Sequence, residues 1–246
     1  MDDGGLMGVR LGTELLYMDD CYLKEFEAVV RAVEGDKVSL DRTAFYPSGG
    51  GLPSDVGKLL RGEEEFEVIE VRKESGNVWH TVGRPGLTVG DAVRGILDWD
   101  KRYRIMRMHT ALHALIALLN SKYGVLVTGN NVGYDRSRVD VNLERPDREL
   151  VEEVIAETNK LLSEGREVKI YYLSREEAMK IPGIIKLAKA LPPDVDKLRI
   201  VEIEGIDIQA DGGPHVRNTR EIGEIVFLGM ENKGKNNRRI HFTLSP

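Results

Sequence analysis

The feature that most constrains this chain is a change of hydrophobic period near residue 98. Before it, apolar residues come in short runs broken by turn residues; after it, they recur at spacings of three and four. Phe26 to Val33 and Lys37 to Leu40 are rich in Val, Ala and Leu and flank Glu34-Gly35-Asp36, a turn composition. Glu65 to Arg72 sets Phe66, Val68 and Ile69 among acids, and Asn77 to Val82 follows Glu74-Ser75-Gly76. Strands this short, punctuated this regularly, predict a small barrel or sandwich. Phe45 to Gly57 is too dense in Gly and Pro for a helix. It reads as a loop whose bare backbone, with Gly49, Gly50 and Gly51 in sequence, can approach a neighbour closely.

Gly83-Arg84-Pro85-Gly86 and Val89-Gly90-Asp91 punctuate the next stretch. From Asp98 onward Ile105, Met108, Leu112, Leu115 and Leu119 form the stripe of an amphipathic helix, capped by Asp98 or Asp100 and ended by Gly124. Pro146, then Leu150, Val154, Ile155, Thr158, Leu161 and Leu162, predict a second helix ending at Gly165. Glu167 to Leu173 reads as a strand, and Ser174 with Glu177 is a capping-box pattern for a short third helix. Leu198 to Ile208, Ile222 to Met230 and Arg238 to Leu244 read as strands. The pattern is thus a β domain, barrel or sandwich, to about residue 90, followed by an α+β domain.

Length allows one large or two small domains. Acids outnumber Lys and Arg, 41 to 35, for a net charge of -6, which excludes a whole-molecule basic coat but not a local basic patch. A lone cysteine, Cys21, rules out an internal disulfide. Met1 to Gly5 lacks the basic and apolar segments of a signal peptide, and Ala111 to Leu119 is too short to span a bilayer. A soluble cytoplasmic protein without a membrane partner is expected, and no obligate protein partner is evident.

His109 and His113 lie four apart on the first predicted helix, about 40° apart around its axis and one turn apart along it. Two imidazoles so placed can share a metal, although an isolated pair is more often an ordinary pair of helix residues. Thr110, not Glu, follows the first histidine, which argues against a zinc peptidase. The second piece is Ile206 to Val216, an apolar strand entering a Gly-Gly turn that carries Asp211 and His215. Joined to the helical pair, it completes a three-histidine, one-carboxylate set suited to zinc. His80 and His241 have no such partners and read as packing or surface residues.

Asp98-Trp99-Asp100-Lys101-Arg102-Tyr103 leading into Met108-His109-Thr110-Ala111-Leu112-His113 resembles the start of an alanyl-tRNA synthetase editing domain. Gly212 to Gly223 resembles its second metal motif, Phe45 to Gly57 the glycine-rich segment of the preceding barrel, and Lys233 to Ile240 the closing hairpin. All four occur in order over nearly the whole chain. The chain thus resembles the free-standing alanyl-tRNA editing proteins, the AlaX family, in their medium-length form with an N-terminal barrel. It departs from the family pattern in having Asp211 where a cysteine is usual, Pro214 for a threonine and Leu52 for a glutamine.

The resemblance implies an α+β fold, with a small β-barrel domain over residues 1–93 and an editing, or deacylase, domain with an antiparallel sheet and a metal-bearing helix over 94–246. It also implies hydrolysis of the ester joining serine or glycine to the 3′ end of alanine tRNA. Zinc is the implied cofactor, held by His109, His113 and His215, with Asp211 as fourth ligand or water-orienting base. Thr128 and Asn130, just beyond the metal helix, are candidates to bond the serine hydroxyl. Discrimination by such a bond reaches roughly 10⁴–10⁵, against far less from size alone. Lys101, Arg102, Arg104 and Arg107, and Lys233, Lys235, Arg238 and Arg239, form two candidate phosphate-binding patches. Two other readings stay open: a tRNA-binding module of the same fold with a degenerate metal site, and a zinc hydrolase of a small ester or amide.

Overall fold

In the computed structural model, residues 12–143, 147–184 and 196–245 are described. The first eleven residues, read above for a targeting segment, and Pro146, read above as a helix start, lie outside them. The chain forms two compact units. One comprises the residues through Tyr17, Tyr22–Ser48 and Ser54–Asp98; the other comprises Met18–Cys21, Gly49–Pro53 and the chain from Trp99 onward.

The first unit contains, in chain order, β1 (Glu14–Leu15), β2 (Glu25–Glu34), β3 (Lys37–Leu40), β4 (Arg42–Thr43), β5 (Gly57–Arg61), β6 (Glu64–Glu74), β7 (Asn77–Val82) and β8 (Ala92–Leu97). Six of them close a barrel in the order β2-β3-β7-β6-β5-β8, with every pair antiparallel. In β2, Phe26, Ala28 and Val30 point inward between exposed Glu25 and Glu27, the period of a half-buried strand. Phe26, Leu40, Phe45, Leu59, Phe66, Val82 and Leu97 meet in one buried cluster. A register shift between Val68 and Glu70 turns Ile69 outward, 48% exposed, and brings Val71 inward. The alternation read from the sequence is thereby corrected: Ile69 is not a core residue. Strands β5 and β8 were not anticipated. The first begins at Gly57, straight out of the Gly- and Pro-rich stretch, and the second has Gly95 at the centre of its inward face, where an apolar residue would have marked it. At the base of that loop the Tyr46 and Asp55 backbones are tied by Asp55 N–H to Tyr46 O (3.0 Å) and by Tyr46 N–H to the Asp55 carboxylate (2.5 Å).

The second unit contains α1 (Trp99–Tyr123), β9 (Val127–Asn131), β10 (Ser137–Val141), α2 (Arg148–Ser163), β11 (Val168–Ser174), α3 (Arg175–Met179), β12 (Lys197–Ile203), β13 (Asp207–Ala210), β14 (Ile225–Asn232) and β15 (Arg238–Leu244). They form two antiparallel sheets, β14-β15-β10-β9 and β11-β12-β13. The α+β class and the barrel hold. Helix α1 is buried on all sides from Met108 to Leu119. It is a central core helix and not the half-exposed amphipathic one its stripe suggested. Helix α2 packs Val151, Val154, Ile155 and Leu162 inward, and Asp147 caps it by accepting from Leu150 N–H at 2.9 Å. Ser174 and Glu177 form the expected capping box on α3.

Two strand readings are corrected. The stretch from Leu198 to Ile208 is two strands, broken at Gly205, whose φ of 67° is left-handed. The strand read from Ile222 starts only at Ile225, after a 3-10 turn over Thr219–Glu221 and Gly223. Among the described residues no helix is long and apolar enough to cross a membrane.

Candidate metal centre

Strand β13 runs directly into the turn at Asp211, and the chain then returns across α1 with His215. This brings together four donors of the second unit. His109, His113, Asp211 and His215 each offer one ligand atom, and these atoms lie within 4.8 Å of one another. The three imidazole centroids are 4.6 Å (His109–His113), 4.2 Å (His109–His215) and 4.6 Å (His113–His215) apart. Asp211 Oδ2 lies 3.9 Å from Nε2 of both His109 and His113, and Oδ1 lies 3.1 Å from His215 Nε2. Gly213 makes the approach possible: a Cβ there would stand 2.6 Å from His109 Cε1. All three histidines are buried.

Hydrogen bonds fix two of the three ring tautomers. His109 Nδ1 faces the Pro214 carbonyl at 3.3 Å and therefore donates. The Thr110 hydroxyl donates to Met106 O (2.9 Å), so it accepts from His215 Nδ1 (3.0 Å), and it also accepts from Val216 N–H (3.2 Å). Both rings are left with a bare Nε2 aimed at the centre. There the His215 lone pair faces the Asp211 carboxylate, whose Oδ1 is itself held by Gly213 N–H at 2.7 Å. Converging lone pairs with this spacing are repulsive until a cation sits among them.

Charge states agree with that reading. Burial pushes the His109 imidazole down to about 4, with His113 and Arg199 adding to it against the pull of Asp211. Burial, then His109, hold His215 well below its usual range. Burial opposes ionisation of Asp211, but the three histidines outweigh it and keep its carboxyl well below the ordinary carboxylate range. Neutral imidazoles and an ionised carboxylate are the forms that bind a divalent metal.

Behind the donors stand residues the motifs did not single out. Arg199 is buried and donates to Asp211 O (2.8 Å), Gly213 O (3.0 Å) and Met18 O (2.7 Å), so it clamps the turn that carries two donors. Asp207 and Gln209, two apart on β13, reach His113 Nδ1 at 3.3 Å and 2.6 Å. The visible signal was a charge inside the apolar run Leu198–Val201, and two polar residues on one face of a strand leading into the turn.

Thr128 and Asn130 share a face of β9. Thr128 is exposed and its hydroxyl donates to Asn237 Oδ1 at 2.8 Å. Asn130 Oδ1 is buried and has no hydrogen-bond partner among the described residues. Of the three loop glycines, Gly51 is the one placed against β9. Its carbonyl accepts from Val132 N–H at 2.7 Å, its φ is 88°, and a Cβ there would lie 1.7 Å from Asn130 Oδ1. Gly50 has a φ of 60°, while Gly49 exchanges backbone bonds with Leu52.

Comparison with known proteins bears on the same elements. Residues 198–241, which include Asp211 and His215, match the Threonyl and Alanyl tRNA synthetase second additional domain, and residues 15–101 match tRNA synthetases class II (A). The chain is 50% identical to the alanyl-tRNA editing protein AlaX-M of Saccharolobus solfataricus, over 95% of this chain and 100% of that protein. It belongs to the AlaX-M family. The AlaX-M protein of Methanosarcina acetivorans is 49% identical over 94% of this chain and 99% of its own. The alanine–tRNA ligase of Archaeoglobus fulgidus is 39% identical over 89% of this chain but only 24% of the ligase.

For an AlaX-M chain the fate of the cations matters, and here the sequence reading needs correction. Arg102 is fully buried and donates to Cys21 O at 2.9 Å, so it cannot meet a phosphate. Arg104 is half-buried and donates to Tyr134 O, Leu244 O and the Thr243 hydroxyl, and Arg107 donates to Ile222 O. Both pin α1 to the C-terminal strand region. Arg238 is buried and wraps the β14–β15 turn, donating to Gly234 O at 2.7 Å, while Arg239 is paired bidentately with Asp140 at 2.7 and 2.8 Å. Exposed cations from the two patches are Lys101, Lys235 and Lys233, the last 3.1 Å from Glu231. His241 is buried against Glu231 at 2.8 Å, and His80 is buried in the barrel.

Proposed function

We propose that this chain is a free-standing editing enzyme that hydrolyses the ester joining a wrongly attached serine or glycine to the 3′ end of alanine tRNA. The observation that carries the reading is the buried His109–His113–His215–Asp211 centre in a chain of the AlaX-M family. Zinc is the proposed metal; bound there it would polarise the ester carbonyl or acidify a water. His109, His113 and His215 would hold it through Nε2. Asp211, ionised and held by Gly213 N–H, is either the fourth ligand or the base that takes a proton from the attacking water. Water adds to the carbonyl carbon, the bond to the ribose oxygen breaks, and that oxygen receives the proton. No ATP is consumed.

Asn130 and Thr128 are the proposed readers of the serine hydroxyl, with Gly51 pressing the glycine-rich loop against Asn130. Lys101, Lys233 and Lys235 are the proposed phosphate contacts, and cytoplasmic aminoacyl-tRNA the proposed substrate pool. The convergence of four donor atoms within 4.8 Å of one another favours a working centre over a degenerate one. The test is deacylation of Ser-, Gly- and Ala-charged alanine tRNA, with zinc measured on the same preparation. Hydrolysis of the first two only, with about one zinc per chain that His109→Ala abolishes, is the expected result. Zinc without tRNA hydrolysis would point to another ester or amide, and the absence of both zinc and hydrolysis would overturn the reading.

A further inference from the structure

Of the three histidines of the centre, His113 alone has a ring proton placed under two opposing demands. Its Nδ1 lies 2.6 Å from Gln209 Nε2 and 3.3 Å from Asp207 Oδ2. The Gln209 amide is itself oriented by Asp207, because only an NH₂ group can face that carboxylate oxygen at 2.8 Å. Gln209 therefore presents N–H to His113, which suits a bare Nδ1 and drives the ring proton to Nε2, the atom that must be bare to ligate. Asp207 presents an acceptor, which suits a proton on Nδ1 and leaves Nε2 free. The Asp207 side chain is fully buried and Gln209 is buried too. His109 and His215 face no such competition, since a carbonyl and a hydroxyl acceptor hold their protons on Nδ1.

We infer that Asp207 and Gln209 are a pair of positioning residues with opposite effects, together selecting the tautomer of His113 and so the metal affinity of the centre. Asp207 favours the ligating form and Gln209 the resting form. Neither touches the reacting atoms. The proposal rests on the metal-binding reading above.

Opposite signs make the test sharp. Zinc affinity is measured by competition with a chromophoric chelator, and the His113 tautomer is read from long-range ¹H–¹⁵N correlations in the metal-free protein. Asp207→Asn removes the strong acceptor and is expected to weaken zinc roughly 10–100-fold, the usual cost of losing a carboxylate behind a ligating histidine, with His113 protonated on Nε2. Gln209→Leu removes the competing donor; it should bind zinc at least as tightly as the wild type and move the proton to Nδ1. The double variant should recover part of the affinity lost in Asp207→Asn. Should Asp207→Asn fail to fold, the zinc affinity and His113 tautomer of Gln209→Leu carry the test, and weakened zinc or a proton left on Nε2 there would overturn the proposal. A structural role alone predicts losses in both single variants and a larger loss in the double, and that pattern would overturn the proposal, as would a wild-type zinc affinity in Asp207→Asn. Absence of zinc binding by the wild type would instead remove the metal-binding reading beneath it.

Discussion

His80 ties the stability of the barrel to pH in a way that can be worked out in advance. The ring is fully buried on β7, stacked edge-on against Phe45 at 5.6 Å. Its Nδ1 donates to Val38 O at 3.2 Å, and its Nε2 accepts from the Thr43 hydroxyl at 2.8 Å, while that hydroxyl accepts from Phe45 N–H. Both ring nitrogens are thus satisfied only in the neutral form, and burial pushes the imidazole from 6.5 down to about 4. Between those values the unfolded chain binds a proton that the folded chain refuses, so stability falls as the pH is lowered through that window. At about 1.4 kcal/mol per unit the loss totals roughly 3 kcal/mol, a large share of the stability of an ordinary domain. Urea unfolding from pH 7 to 4.5, read by Trp79 fluorescence in a Trp99→Phe background, measures it. Carboxylates titrate in the same range, so the informative quantity is the difference from His80→Gln, which lacks the titrating ring. The wild type should lose stability more steeply with acid than the variant. Parallel curves would refute the reasoning.

Three further outcomes follow from the second unit. Gly51→Ala should lower the melting temperature markedly, because a left-handed φ costs an L-residue about 1–2 kcal/mol and the added methyl meets the Asn130 amide and backbone oxygen. Arg102→Ala should be among the most destabilising arginine replacements, since it leaves Cys21 O without its buried donor at 2.9 Å; an unchanged melting temperature with weaker tRNA binding would reverse that. The Lys233→Ala/Lys235→Ala variant should keep its melting temperature but bind tRNA less tightly, with the slope of log K against log salt reduced by roughly 1–2. An unchanged salt slope would exclude the hairpin from the tRNA surface.

What was legible in the sequence follows from how local each cause is. The capping box of α3, the boundary of α1 at Gly124 and the strand β2 before the Gly35 turn are written within a few residues, and the structure reproduces them. Strand β8 was hidden because its central inward position is Gly95, and the course of β6 because a register shift exchanges Ile69 for Val71. That His109, His113, Asp211 and His215 would cluster was legible because histidines are few here and their spacing is set by one helix and one turn. Their supports were not: Arg199 acts on Met18, Asp211 and Gly213 through carbonyls, which no side-chain pattern records. The same blindness misread Arg102, Arg104 and Arg238. A run of arginines shows charge, but whether each guanidinium faces solvent or caps strand-end and turn carbonyls depends on partners up to 140 residues away.

Within the proposed zinc site, chemistry can decide whether Asp211 would bind the metal or act on the water. In the metal motif that Gly212 to Gly223 resembles, a cysteine is usual at this position, so Asp211→Cys is a direct test of ligation. A thiolate bonds zinc at about 2.3 Å, against roughly 2.0–2.2 Å for a carboxylate oxygen, and that extra reach offsets part of the shorter side chain. The three imidazoles and the Arg199 clamp on the turn would be untouched. Soft donors prefer soft ions, so a ligating position predicts that Asp211→Cys gains cadmium affinity relative to zinc and shows a thiolate-to-cadmium charge-transfer absorption on titration. His109→Ala in the same background should weaken that absorption by removing a second ligand from the same ion. If instead Asp211→Cys binds both ions as the wild type does, shows no such absorption and still loses hydrolysis, the carboxylate is the base and the metal rests on three histidines alone.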